Sequence, residues 1–213
     1  MPIYNSKHFR ESALAHQLLD GLEGVEIGGA SHNAFGLDTI NVDYTGDMDT
    51  IFKKAERELA NDGQPMPVDV VANGDSLPFA DKSFDFVISS HVIEHFFDPI
   101  KAIKEWLRVS RRYVYIICPQ PNADPGDRGQ LITGLQELLQ RHSGEIAPPE
   151  VDDHRHWTRW TCGTFRDMCA ALGWNVTHWQ DPDDKVGNGF TVVIQASPAL
   201  ILPDVIATKK KAK

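Results

Sequence analysis

Apolar residues along this chain recur at two spacings, and the switching between them divides the sequence into elements. Over Ser6–Leu22, Phe9, Ala13, Leu14, Leu18 and Leu19 return at helical spacing, which predicts a helix ended by Gly21 and Gly24. A short strand follows, Gly24 through Val25-Glu26-Ile27 into Gly28 and Gly29, and a second covers Thr39–Asp43 after a brief connection. Asp49–Asn61 patterns as a helix with Ile51, Phe52, Ala55 and Leu59 on its apolar face. Val68–Val71 reads as a third strand. Phe84–Ser90 is apolar and β-branched almost throughout, the pattern of a strand buried on both faces.

Farther on, Asp98–Arg108 is amphipathic, with Ile100, Ile103 and Leu107 inward and Pro99 in the first turn, where a missing amide does no harm. Arg112–Cys118 is another buried strand, stopped by Pro119. Pro119–Gly129 is rich in Pro, Gly and Asp and reads as a loop; Leu131, Leu135, Leu138 and Leu139 mark a helix after it. Polar Ala147–Trp160 leads to a helix over Thr161–Leu172. Trp174–Gln180 and Phe190–Ala196 are strands joined by a Pro/Asp/Gly turn, hence an antiparallel pair. Strands alternating with helices and then this pair predict an α/β sheet, mostly parallel, with one reversed strand late in the chain. With no internal repeat and no linker, residues 1–207 read as one domain and the lysine-rich 208–213 as a disordered tail.

Composition narrows this picture. A chain of 213 residues, 41% hydrophobic, can bury one sizeable core. Its net charge of −9 repels phosphate backbones and argues against a nucleic-acid partner. Cys118, Cys162 and Cys169 are odd in number and form no CxxC pair, which suits free thiols in a reducing compartment. No apolar run approaches the ~18 residues of a membrane span, and no signal-peptide core opens the chain. A soluble, cytoplasmic protein is expected, its oligomeric state left open.

The chemistry-bearing residues gather where strands end, and an open α/β sheet binds its ligand at such ends. After the first strand stands Glu26-Ile27-Gly28-Gly29-Ala30, where glycines admit a ligand to the backbone and the amides can hold a carboxylate or phosphate; a plain corner is the bland alternative. Asp43 ends the second strand and can accept two hydrogen bonds from ribose hydroxyls. After the third, Asp75-Ser76-Leu77 offers a carboxylate and an amide to an adenine edge, with Leu77 covering its face. Each has a bland reading as cap or Asx turn. All three would line one edge of one sheet.

Here the chain resembles a known family, the class I S-adenosylmethionine-dependent methyltransferases of the small-molecule type. The resemblance spans Val25–Cys118 and rests on Asp75, Leu77-Pro78-Phe79, Ser83-Phe84-Asp85 and Ile93-Glu94-His95. It implies a Rossmann-like seven-stranded sheet, mostly parallel, with a C-terminal antiparallel pair and helices on both faces. It implies S-adenosylmethionine as cofactor, with a loop at its methionine moiety over Gly28–Ser31 and Glu26, Gly28, Gly29 and Ala30 among the cofactor-binding residues. Asp43 would hold the ribose and Asp75, Ser76 and Leu77 the adenine, while Ser90 and His91 would lie beneath the cofactor. The sequence departs from the family in its loop, which carries Ala30 and His32 where glycines usually alternate, and in a shorter run from Gly28 to Asp43. The helix between them is expected to be abbreviated, with Asn33-Ala34-Phe35-Gly36 in place of most of it.

Two further motifs compete for attention. His91-Val92-Ile93-Glu94-His95 matches HxxEH, which on a helix would bind zinc through both histidines with Glu94 as base. A strand leads straight into it and Pro99 starts another helix soon after, so little helix is available to hold both ligands; capping or packing at the strand end is the plainer alternative. Asp152-Asp153-His154-Arg155-His156-Trp157-Thr158-Arg159-Trp160 could fold over the acceptor pocket, where a histidine near neutrality suits proton transfer, or serve as a structural loop with both tryptophans in the core.

The expectation is a methyltransferase acting on a small-molecule acceptor, through a hydroxyl, with His95 and His154 as candidate bases and no metal. Residues 119–160 would form a loop–helix cap over the acceptor site. A non-catalytic cofactor-binding or scaffold protein of the same fold is the alternative, and an HxxEH zinc hydrolase a remote one.

Overall fold

The computed structural model describes residues 11–29, 35–59, 64–150 and 155–196. Seven strands form one sheet: β1 (Glu23–Ile27), β2 (Asp38–Asp43), β3 (Val70–Val71), β4 (Phe84–Ser90), β5 (Ser110–Pro119), β6 (Asn175–Gln180) and β7 (Gly189–Gln195). The helices are α1 (Ala13–Leu19), α2 (Ile51–Leu59), α3 (Pro99–Val109), α4 (Leu135–Ser143) and α5 (Cys162–Ala171). The strand order is β3-β2-β1-β4-β5-β7-β6, parallel throughout except for β7, which runs antiparallel to β5 and β6. Strand order reverses between β1 and β4. Their carboxyl ends therefore flank the crevice in which sheets of this kind bind ligands.

Alternation along the central strands sorts the core into two layers. Val87, Val114, Ile116, Val192 and Ile194 face α3 and α5, meeting Ile100, Ile103, Trp106 and Phe165. Phe86, Ile88, Tyr115, Ile117 and Val193 face the other way, under Ala15 and Leu19 of α1 and under Phe35. Trp106 is fully buried and donates from Nε1 to the Gly74 carbonyl at 2.8 Å, so it fills the first layer without stranding its one polar atom. Truncating such a residue to alanine costs about 3–5 kcal/mol. Asp98 caps α3 by accepting from the Lys101 amide, and Thr161 with Thr164 forms a capping box on α5. Cys118, Cys162 and Cys169 are buried free thiols.

The sheet is the one the sequence predicts, with β4 at the expected residues; four details differ. In α2 the inward residues are Lys53 and Glu56, while Ile51, Phe52 and Ala55 face outward. The lysine is drawn in because its ammonium is surrounded by oxygens: Glu56 at 2.9 Å and the Gly29 and Met66 carbonyls at 3.3 Å. The helix expected from Leu131 starts at Leu135, Leu131 itself being 87% exposed. The described part of the first helix begins at Ala13, where Ser12 accepts from the Ala15 amide; residues 6–10 lie outside the described residues, as do 30–34 and the tail 208–213. Only Val70 and Val71 of the third strand pair as strand. Asp69 meets Asn41 twice, its amide donating to the Asn41 carbonyl at 3.0 Å and its side chain accepting from the Asn41 amide at 2.8 Å.

Candidate active site

Three carboxylates stand at the ends of β1, β2 and β3. Glu26 is 1% exposed; Thr39 donates to its Oε2 at 3.2 Å, and Oε1 has no hydrogen-bond partner. Burial pushes its pKa up to about 8, against the opposing pull of the Lys185 ammonium. That ammonium is itself buried, 4.4 Å over the Phe35 ring, and burial lowers its pKa to about 8. Asp43, with a side chain 13% exposed, sits 3.7 Å from Lys53 Nζ. Asp75 is part-exposed and pairs with Lys101 Nζ at 2.9 Å.

The backbone between these acids is largely engaged within the chain. Gly28 adopts φ +64°, and a Cβ there would come within 2.8 Å of Val92 Cγ2, so only glycine fits. Its amide donates to the Val42 carbonyl at 2.8 Å, and that of Gly29 to Asn41 Oδ1 at 2.9 Å. The Ser76 amide closes a turn onto the Asn73 carbonyl, and the Leu77 amide donates to Glu105 Oε1 at 2.7 Å. Leu77 is 6% exposed and belongs to the core layer, not to an open face. The side-chain acids, with the unpartnered Glu26 Oε1, suit the polar groups of S-adenosylmethionine. The space beside Gly28 and Gly29 is taken by Val92, Asn41 and Met66, and the amides of Gly29, Ser76 and Leu77 are committed elsewhere, against the expectation that they face the cofactor. Ala30 lies outside the described residues.

At the end of β4, Ser90 is buried and its hydroxyl pairs with His91 Nδ1 at 3.1 Å. His91 has φ +56°, a conformation that favours glycine, and its amide donates to the Ile117 carbonyl. Its Nε2 pairs with Asn188 Oδ1 at 2.9 Å, and burial lowers its pKa, which favours the neutral ring. Asn188 belongs to the β6–β7 loop, which Asp183 organises by accepting the amides of Lys185, Val186, Gly187 and Gly189.

One turn farther on, Ile93–His95 forms a 3-10 turn rather than a helix, so His91 and His95 share no helical face and the HxxEH reading fails on geometry. The residue brought to His95 is His156, the rings 4.8 Å apart and edge to face. Glu94 lies under both. It is 1% exposed, neither carboxyl oxygen accepts a hydrogen bond from another residue, and burial raises its pKa to about 8. His156 and His95 present Nε2 at 3.9 and 4.0 Å from Glu94 Oε1. His156 Nδ1 meets Asp127 Oδ2 at 2.5 Å, and Arg159 Nε donates to the other oxygen at 2.7 Å. The junction is built by the backbone: the Trp157 and Thr158 amides both donate to the Glu94 carbonyl, at 2.8 and 3.2 Å. Trp160 is buried in the core, and Trp157 packs edge-on against Phe97.

Of the two histidines proposed as bases, His95 is at this cluster and His154 lies outside the described residues. Asp127 is the residue sequence reasoning missed; His156, which with His154 is expected as a proton acceptor over the acceptor site, is the one of that pair that the described residues place beside Glu94.

The model of the methyltransferase domain family matches residues 25–118. No curated protein matches the sequence. Among solved structures, the chain is similar to a S-adenosylmethionine-dependent methyltransferase from Thermotoga maritima described as a possible histamine N-methyltransferase. The TM-score is 0.51 at 17% identity, over 85% of this chain and 86% of that one. A methyltransferase from Haloferax volcanii, solved in complex with the activator Trm112, scores 0.51 at 16% identity over 84% of each chain. The [4+2]-cyclase SpnF scores 0.51 at 12% identity over 87% of this chain and 79% of its own.

Proposed function

We propose, from the match of residues 25–118 to the methyltransferase domain family, that this chain moves a methyl group from S-adenosylmethionine onto a hydroxyl of a small molecule. The cofactor is S-adenosylmethionine. When bound, it supplies a methyl group already activated on a sulfonium. Glu26, through its unpartnered oxygen, would hold the ammonium; Asp43 would hold the ribose hydroxyls and Asp75 the adenine. The chain's own part is to orient an acceptor, keep water out and take away a proton.

The observation that carries the hydroxyl assignment is the pair His95 and His156 at the end of β4. Each ring has its Nδ1 against an acceptor, the Arg155 carbonyl for His95 and Asp127 for His156, which turns Nε2 of both rings toward Glu94 Oε1, at 4.0 and 3.9 Å. A neutral hydroxyl needs such a base and a charged nucleophile does not. His95 is the more open of the two, its side chain 27% exposed, and is the base in this reading. Its Nε2 would take the hydroxyl proton as the oxygen–methyl bond forms and the methyl–sulfur bond breaks, leaving the demethylated cofactor. The described parts of 119–160 would serve as the cap on the acceptor side, a reading supported by α4 lying against α3 and by Arg141 donating to the Phe97 and Trp157 carbonyls.

Titrating the protein by calorimetry with S-adenosylmethionine and with its demethylated product tests the cofactor site. Transfer of labelled methyl across a panel of phenols, sugars, amines and carboxylates tests the acceptor. Micromolar binding and labelling of hydroxyl compounds are expected; no binding by a folded chain would overturn the reading. The internally committed amides favour one second reading, a scaffold of this fold without catalysis, which the same titration separates.

A further inference from the structure

We infer that Glu94, His95 and His156 form a binding site for one divalent first-row transition ion. Each residue offers one ligand atom, and the three atoms lie within 4.8 Å of one another. Ligand atoms about 2.0–2.2 Å from a common ion stand roughly 3–3.5 Å apart, so side-chain rotations of about an ångström would close the site. The contacts are not hydrogen bonds already made: at 3.9 and 4.0 Å the imidazole nitrogens are too far from Glu94 Oε1 for that. Neither oxygen of this carboxyl group, which is 1% exposed, accepts a hydrogen bond from another residue, and Oε1 is the one nearest both imidazoles, so a bound ion would satisfy a buried group that the chain leaves unmatched.

The surroundings are those of a metal centre. A histidine that binds a metal through one nitrogen ordinarily donates the other N–H to a carboxylate or a carbonyl, which fixes the tautomer and the ring. Here the Arg155 carbonyl holds His95 Nδ1 at 3.3 Å, and Asp127 holds His156 Nδ1, with Arg159 fixing Asp127 in turn. Two imidazoles and one carboxylate select zinc, cobalt, iron or manganese over magnesium and calcium, which prefer all-oxygen sites. Three protein ligands leave a coordination position free on the part-exposed side of His95. On the methyl-transfer reading above, that position would take the acceptor hydroxyl. The ion would then replace His95 as base, lowering the hydroxyl pKa so that its proton leaves to solvent. Binding of the ion itself does not depend on that reading.

The test uses the full chain, stripped with a chelator and checked by circular dichroism, then titrated with Zn²⁺ by calorimetry and with Co²⁺ by visible absorption. One ion per chain, Co²⁺ ligand-field bands and no competition from Mg²⁺ are expected. Glu94→Gln and His156→Ala should each weaken binding at least ~100-fold, and Asp127→Asn roughly 10–100-fold. His95→Gln serves if either of the first two fails to fold. No saturable binding by the folded chain, or unchanged affinity in these variants, overturns the site. Titration of the same samples with demethylated cofactor keeps the two proposals apart. A chain that takes the ion but not the cofactor removes methyl transfer and leaves the metal site, and the reverse removes the site alone.

Discussion

His156 and Asp127 are joined by a 2.5 Å contact between Nδ1 and Oδ2 that ties two loops 29 residues apart. Arg159 completes the junction on the other carboxylate oxygen. Asp127 is 4% exposed, so this is a buried, charge-assisted arrangement rather than a surface ion pair. Asp127→Ala strands both partners and should lower stability by about 2–3 kcal/mol. Asp127→Asn, whose amide oxygen still accepts one bond, should recover part of the loss. Urea denaturation reads both; a loss under about 0.5 kcal/mol for the alanine variant would show that the junction does not hold the loops.

Glu26 sets a pH dependence whose sign follows from its burial. Its pKa stands at about 8 in the folded chain against 4.5 for the ordinary carboxyl. Between those values the unfolded chain has lost the proton and the folded chain keeps it. Stability therefore falls as pH rises from about 5 to 8, by at most about 1.4 kcal/mol per pH unit. Lys185, lowered from 10.5 to about 8, works the other way above that pH, so the curve should turn upward again. Glu26→Gln mimics the protonated acid and should remove its share of the falling limb, leaving the share of Glu94, whose pKa burial raises to about 8 as well. A melting temperature that drops equally with pH in both proteins would place the titrating group elsewhere.

The order of strands and the ends of β4 were legible because burial on both faces leaves an unbroken apolar run, Phe86-Val87-Ile88, that no surface strand would carry. The facing of α2 was not. Ile51 and Phe52 mimic an inward stripe, while the pull on Lys53 comes from carbonyls of residues distant in sequence, Gly29 and Met66. Likewise the site was half legible. Glu94 and His95 are adjacent and visible; His156 reaches them only because the Trp157 amide bonds to the Glu94 carbonyl, a contact no local pattern encodes.

Gly28 is held open by geometry that a substitution can separate into two parts. An alanine there must adopt φ +64°, costing about 1–2 kcal/mol, and its Cβ must displace Val92 Cγ2 at 2.8 Å. Gly28→Ala should therefore cost less in a Val92→Ala background than in the wild type, while the backbone share of the cost persists. Equal costs in both backgrounds, read by thermal denaturation as a double-mutant cycle, would mean that the Val92 contact does not limit the loop.

Asp43 offers the cleanest separation of binding from folding. Its partner Lys53 lies 3.7 Å away but is held more closely by Glu56 at 2.9 Å and by the Gly29 and Met66 carbonyls at 3.3 Å. Removing the Asp43 carboxylate thus leaves the buried ammonium with partners, and Asp43→Ala should change stability by less than about 1 kcal/mol. Hydrogen bonds from ribose hydroxyls to a carboxylate are worth about 1.5–3 kcal/mol each. Loss of even one weakens S-adenosylmethionine binding roughly 10–100-fold. Calorimetry on the variant beside its urea curve distinguishes the cases. Weakened affinity with an unchanged denaturation midpoint is expected; unchanged affinity would mean that the ribose is held elsewhere.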